Sequence, residues 1–197
     1  MQNKNIVWQH GVATRDDRRR VLNQVPLTLW LTGLSASGKS VVSYALEAEL
    51  LKRGLLCAVL DGDNLRHGLN SDLDFSPQAR SENIRRAAEV ARLMNDIGLI
   101  VIVALISPLR TDRQAAQSIV GVDLFREIYV STALEICESR DPKGLYRAAR
   151  EGGIAEFTGV SAPYEPPLNP SLMLDTGSVS VHQSVEMICS LIKTTSS

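Results

Sequence analysis

Several features are scarce in this 197-residue chain, and each scarcity removes a class of protein. There are only three cysteines, Cys57, Cys137 and Cys189, far apart and each inside an apolar segment. An odd count without close spacing argues against a disulfide framework or a zinc site and for reduced thiols in the core of a cytoplasmic protein. No stretch approaches the roughly 18 apolar residues of a membrane span, and the opening MQNKN has no apolar signal core. Charge of one sign is lacking too. The 21 basic and 22 acidic residues are interspersed and leave a net charge of −1, so neither nucleic acid nor an anionic membrane is an expected partner. A few placed arginines must supply any anion specificity. Internal repeats and inter-domain linkers are also missing. What remains is 44% hydrophobic, enough for one globular domain with a full core.

The order of elements can be read along the chain. Residues 1–26 are polar and form an N-terminal arm, with a short helix expected around Arg15–Leu22 whose run RDDRRR is a solvated face. Trp8 is the large apolar side chain in this arm and is expected to dock on the domain or on a partner chain. From Leu27 onward (27–197) apolar strands alternate with helices. Strands are expected at LTLWLT (27–32), LLCAVL (55–60), LIVIVALI (99–106), LFREIYV (124–130) and LMLDT (172–176). The uninterrupted apolar run at 99–106 marks a central parallel strand buried on both faces. Helices are expected after Ser40 up to Gly54 and over Ser76–Gly98, Thr111–Val120, Thr132–Arg140 and Val179–Lys193. Ser76 can cap the second of these, and Pro77 suits its first position. The rhythm predicts an α/β fold of three layers, a parallel five-stranded sheet with helices on both faces joined by right-handed crossovers. One segment breaks it. Residues 141–169 are rich in Gly, Pro and charge and too long for a plain connection, which suggests a mobile lid closing over phosphates, the alternative being a disordered surface insertion.

The chemistry begins between the first strand and the first long helix. GLSASGKS, residues 33–40, fits G-x-x-x-x-G-K-[ST], a phosphate-binding loop. Gly33 and Gly38 let the N–H groups of Leu34, Ser35, Ala36 and Ser37 turn inward as an anion nest, and the following helix adds its N-terminal donors. Lys39 is expected at the β- and γ-phosphates of ATP and Ser40 on Mg²⁺. The acidic group such a site needs is missing after the strand that ends at Ser107. It stands instead in Asp61-Gly62-Asp63 after the second strand, at the sheet's carboxyl edge where ligands of open α/β folds bind. Asp63 is the candidate for engaging an acceptor hydroxyl and Asp61 for water-mediated support of Mg²⁺, although which lies nearer the metal stays open. The alternative for both is a turn that caps the next helix. Further on, Arg80, Asn83, Ile84 and Ala87 share a helical face that runs from polar to apolar, as expected where a pocket borders the core. Arg66 and Arg80 suit a clamp on an anionic substrate, and Phe75 suits stacking on a planar ring. The bland alternatives are arginines paired with Asp74 or Glu82, and a core phenylalanine.

With these residues in hand the chain resembles the adenylylsulfate kinase (APS kinase) family of phosphate-loop kinases, over nearly its whole length. The motifs that carry the likeness are TLWLTGLSASGKS, LDGDNLRHGLNSDLDFSPQARSENIRR, the strand ending ISP, DPKGLY, EFTGVSAPYEPPLNP and LDT. The resemblance implies transfer of a phosphoryl group from ATP to the 3′-hydroxyl of adenosine 5′-phosphosulfate (APS). It implies ATP contacts along residues 33–40 and at Arg140. It implies APS contacts at Asp63, Arg66, Arg80 and Asn83, with Phe75 and Phe157 around the adenine, Ile106 and Ser107 lining the pocket and Lys143 reaching in from the lid. Ser107 carries the family's phosphoserine label, yet in-line transfer to a held hydroxyl needs no covalent step, and no base neighbours Ser107 in the sequence. The family is commonly dimeric, and association with ATP sulfurylase is the further partner it suggests. This chain departs from the pattern at Ala36, where glycine is usual, at Val41 for threonine and at Leu109 for tyrosine. The methyl of Ala36 is expected to be harmless provided that φ stays negative there. Two other readings share the loop: a kinase for another small hydroxyl compound, and a non-catalytic nucleotide-binding module of a sulfate-activating complex. The aromatic residues at 75 and 157 favour a planar base, and intact Lys39 and Asp63 count against the module.

Overall fold

The computed structural model describes residues 6, 7, 9 and 11–192; Trp8 and Lys193, and what was expected of them, lie outside that set. In chain order the elements are α1 (Arg15–Leu22), β1 (Leu27–Thr32), α2 (Lys39–Lys52), β2 (Cys57–Asp61), α3 (Gly62–Leu65), α4 (Pro77–Asp96) and β3 (Ile100–Ala104). They continue with α5 (Arg110–Val120), β4 (Phe125–Val130), α6 (Leu134–Arg140), α7 (Leu145–Arg150), β5 (Leu172–Leu174) and α8 (Val181–Cys189). The five strands are all parallel, in the order β2-β3-β1-β4-β5. Period-two alternation along β1 explains the three layers. Leu27, Leu29 and Leu31 join Val42, Leu46 and Leu50 of α2 and Val185 and Ile188 of α8 on one face. Trp30 points to the other, among Ile84, Ala87, Ala88 and Ala91 of α4 and Ala116 of α5. Three alanines on α4 let that helix approach closely enough to seal the indole, which is fully buried.

Element ends differ from the sequence expectation where a side chain or turn claims the backbone. β3 stops at Ala104, two residues short of the apolar run: Leu105 N still donates to Leu31 O of β1 (3.2 Å), but the chain then turns at Ser107 (φ 37°). α6 starts at Leu134 rather than Thr132, whose hydroxyl is committed to Ser37 O at 3.1 Å. α8 begins only after Ser180, which closes a capping box with Gln183. The unforeseen turn of helix α3 is capped by Asp61. α1 has the expected bounds and buries no residue. It is nevertheless fastened to the domain: Arg18 Nη1 donates to Asp96 O (3.3 Å), and fully buried Gln24 donates to Leu56 O (2.9 Å) and Gly98 O (2.8 Å). Among the described residues no helix is long and apolar enough to cross a membrane, and the three cysteines are free.

The segment 141–169 is not shapeless. Tyr146 and Ala149 of α7 bury with Cys137 and Phe157, and Leu34 and Ala36 of the loop after β1 pack against this small core. Its return limb is stitched to the turn after β3, where Glu165 N donates to Pro108 O at 2.9 Å. Both limbs therefore end up at the carboxyl ends of β1 and β3.

Candidate active site

The loop 33–40 leaves β1 through Gly33, where φ is 152° and a Cβ would lie 2.4 Å from Val130 O. Only glycine fits. Gly33→Ala is expected to lower stability by about 2 kcal/mol or more, because neither strain nor clash can relax without moving β4. An unchanged urea midpoint would show that the backbone yields there. Ala36 corrects an expectation: its φ is +57°, not negative. The left-handed conformation costs a residue with a Cβ about 1–2 kcal/mol, offset in part by packing of its methyl against the Phe157 cluster. Two threonines missed in the sequence, Thr132 and Thr176, hold the loop by donating to Ser37 O at 3.1 and 2.7 Å. Tyr146 hydroxyl adds a third tie, to Ser35 O at 3.0 Å.

Lys39 heads α2, and its Nζ donates to Gly33 O (3.0 Å) and Leu34 O (2.6 Å). Burial pushes this ammonium down to about 8, while neighbouring charge, including that of Asp61 and Asp63, pulls the other way. Ser40 Oγ donates to Asp61 Oδ2 at 2.6 Å. The other carboxylate oxygen of Asp61 accepts from Asp63 N (3.0 Å) and Asn64 N (3.4 Å), so Asp61 caps α3 and orients the Ser40 hydroxyl at once. The capping alternative is met at Asp61 without displacing the metal-side one. Hydroxyl and carboxylate oxygens are the hard donors Mg²⁺ prefers. Among the described residues no group of three or more His, Cys, Asp or Glu could hold a metal ion. Asp63 is exposed and forms an ion pair with Lys143 from the 141–169 segment.

On the acceptor side Arg66 Nη1 donates to Leu73 O (2.9 Å) and Asp74 O (2.8 Å), and its guanidinium lies 4.2 Å from the centre of the Phe75 ring. Phe75 is 63% exposed and is no core residue. Arg80 donates to Phe75 O (2.8 Å), Thr158 Oγ1 (3.1 Å) and Glu156 O (3.1 Å), bridging α4 to the long segment. Neither arginine forms an ion pair with Asp74 or Glu82; Glu82 pairs with Arg85 and Arg86 instead. Burial lowers the pKa of both guanidinium groups, and the charge of Arg66 adds to the effect on Arg80. Two cations held within each other's field, with carbonyls as partners, suit a multiply charged anion. Asn83 is buried and accepts from Asn70 Nδ2 at 2.8 Å.

Other expected residues take different surroundings. Phe157 is buried edge-on to Tyr146, 5.0 Å between centroids, inside the small core rather than on an open face. Arg140 donates to Ala36 O (3.4 Å) and to Thr176 Oγ1 (2.8 Å), beside the phosphate loop. Ile106 O accepts from Thr32 Oγ1 at 2.7 Å. Ser107 is buried, and its hydroxyl accepts from Trp30 Nε1 at 3.1 Å. Its carbonyl accepts from Arg113 Nη1 at 2.7 Å. Arg113 gave no signal in the sequence beyond a polar helical position, yet it is buried. It also donates to Glu127 Oε1 (2.5 Å) and Glu165 O (2.7 Å). Tyr164, quoted in a motif without a role, shares a hydrogen bond with Thr32 Oγ1 at 3.0 Å. It borders a cavity of about 520 Å³ between Leu34 and residues 159–164.

Comparison with known proteins adds to this geometry. The family model for adenylylsulphate kinase matches residues 25–175. The chain is 52% identical over 188 residues to the probable adenylyl-sulfate kinase of Halalkalibacterium halodurans, covering 95% of this chain and 90% of that protein. With the adenylyl-sulfate kinase of Bacteroides thetaiotaomicron it shares 50% over 194 residues, 98% of this chain and 96% of that one. Among solved structures, the Mycobacterium tuberculosis APS kinase CysC in complex with AMPPNP and APS superposes with a TM-score of 0.82 at 46% identity. The match covers 85% of this chain and 98% of that one.

Proposed function

We infer the reaction from one premise: this chain belongs to the adenylylsulphate kinase family. It is a phosphotransferase that moves the γ-phosphoryl group of ATP to the 3′-hydroxyl of APS, giving 3′-phosphoadenosine 5′-phosphosulfate and ADP. The observation that carries this is the close structural match to a relative holding AMPPNP and APS, on a chain whose phosphate loop keeps Lys39 and Ser40. Residue roles follow as assignments. Loop 33–40 and Arg140 bind ATP. Ser40 and Asp61 would hold Mg²⁺, which would supply charge neutralisation at the phosphates. Lys39 lowers the cost of charge on the transferring group. Asp63 orients the 3′-hydroxyl and takes its proton as the new O–P bond forms and the bond to the β-phosphate oxygen breaks. Lys143 must exchange Asp63 for the substrate, which links acceptor entry to release of the base. Arg66 and Arg80 grip the phosphosulfate, and Asn83, Phe75, Phe157, Ile106 and Ser107 shape the pocket around the nucleoside. We assign the reaction to the cytoplasm, where ATP is made and free thiols persist.

A coupled ATP-consumption assay over a panel of acceptors tests the reaction. ADP release should depend on APS; indifference to APS with brisk phosphorylation of a sugar acid or nucleoside monophosphate would overturn it. Arg80→Ala should weaken APS by about 1.5–3 kcal/mol, the worth of a charged hydrogen-bonding partner, with ATP affinity intact. Unchanged APS binding would move the clamp elsewhere. Ser107→Ala should keep transfer within about tenfold of the parent, because the buried hydroxyl is engaged between Trp30 Nε1 and Leu105 O and a direct in-line transfer asks nothing more of it. Complete loss of transfer, with the fold intact, would revive the covalent route.

A further inference from the structure

Two asparagines behind the acceptor side form a pair that the roles above leave unexplained. Asn70, in the segment RHGLN, is completely buried. Its backbone N–H reaches Leu65 O at 2.8 Å, and its carbonyl accepts from Leu73 N at 3.1 Å. Its side chain donates Nδ2 to Asn83 Oδ1 at 2.8 Å, while its own Oδ1 has no partner. The reverse orientation would leave a buried N–H without an acceptor, a rarer defect than an orphan carbonyl oxygen. A leucine of similar volume at this position would avoid any defect. A buried polar group kept at such a cost calls for an explanation.

We propose that Asn70 is a positioning residue that fixes which end of the Asn83 amide faces the acceptor nucleotide. An amide has one accepting and one donating end. Asn70 occupies the accepting end, so Asn83 presents Nδ2, which has no hydrogen bond among the described residues. Asn83 is itself more than nine-tenths buried and lies one turn beyond Arg80 on the face of α4 that starts the pocket. The complementary ligand atom is an acceptor: a phosphosulfate oxygen or a ring nitrogen of APS. The inference rests on the assignment of Asn83 to APS made above.

The test is calorimetric titration of APS into the full chain with AMPPNP and Mg²⁺ present, for Asn70→Leu, Asn83→Leu and the double variant. Asn70→Leu should weaken APS about tenfold, the value of one oriented hydrogen bond, with AMPPNP affinity unchanged. Combined with Asn83→Leu it should add nothing, because both act through one amide. Asn70→Asp keeps the volume but its carboxylate only accepts. The Asn83 amide must then turn, and APS affinity falls by a similar factor, so this variant decides the matter if the leucine one does not fold. Parental APS affinity in the Asn70 variants, or an equal loss with and without Asn83, overturns the proposal. Parental affinity in Asn83→Leu overturns the Asn83 assignment instead.

Discussion

Lys39→Ala lowers the turnover number by about 10²–10³-fold with APS as acceptor, the usual loss when one preorganised donor to a transferring group is removed. The physical reason is where its ammonium sits. Nζ is held by Gly33 O and Leu34 O at the base of the nest, so its charge is aimed at the loop's interior rather than at solvent. Burial has brought its pKa from 10.5 to about 8. Near pH 8 roughly half of the chains then carry a neutral amine, and polyphosphate favours the charged form, so ATP binding takes up about half a proton there. Well below pH 8 Lys39 is already charged, and uptake at this group fades. Titrations of ATP in two buffers of different ionisation enthalpy read the difference, and Lys39→Ala should abolish it. Normal transfer by the variant would refute the loop assignment; equal uptake by parent and variant would refute the pKa argument.

Asp63→Asn loses about 10²–10⁴-fold in turnover while ATP affinity and fold are retained. The two aspartates after β2 differ in what they support. Asp61 is buried, caps α3 and receives the Ser40 hydroxyl, so its loss damages structure and nucleotide site together. Asp63 is exposed and, among the described residues, caps no helix and has Lys143 as its one side-chain partner. Its replacement therefore isolates chemistry from architecture. Single-turnover measurement with saturating ATP and APS gives the step directly. A rate within a few-fold of the parent would remove Asp63 from the acceptor role.

The local devices are legible in the sequence itself. The phosphate loop, the alternation of strands and helices, the Ser76 cap and the uninterrupted central strand at 99–106 all depend on neighbours within a few positions. What was hidden depends on partners far along the chain. Thr132 and Thr176 meet on Ser37 O from 95 and 139 residues away; Thr132 lies in no motif, and Thr176 closes the LDT motif without a role of its own there. Arg113 read as an ordinary polar helix position because its four acceptors come from three separate segments. The two phenylalanines are alike in the sequence, and only the tertiary arrangement opens Phe75 under Arg66 while enclosing Phe157 with Tyr146. Ala36 was misjudged because sequence alone does not report the sign of a dihedral.

Arg113 also sets how the long 141–169 excursion is attached. Glu165 takes bonds from Arg110 N (2.8 Å) and Arg113 Nη2 (2.7 Å), Pro166 O takes one from Arg110 Nε (2.8 Å), and Tyr164 reaches Thr32. One end is thus riveted to the sheet, while the other leans on the loop that cradles phosphate through the Phe157 cluster. The excursion is tied again by Arg80, which donates to Glu156 O and Thr158 Oγ1, and by Lys143, paired with Asp63. A single span of chain thus joins the loop after β1 to both the arginine-bearing and the acidic sides of the site.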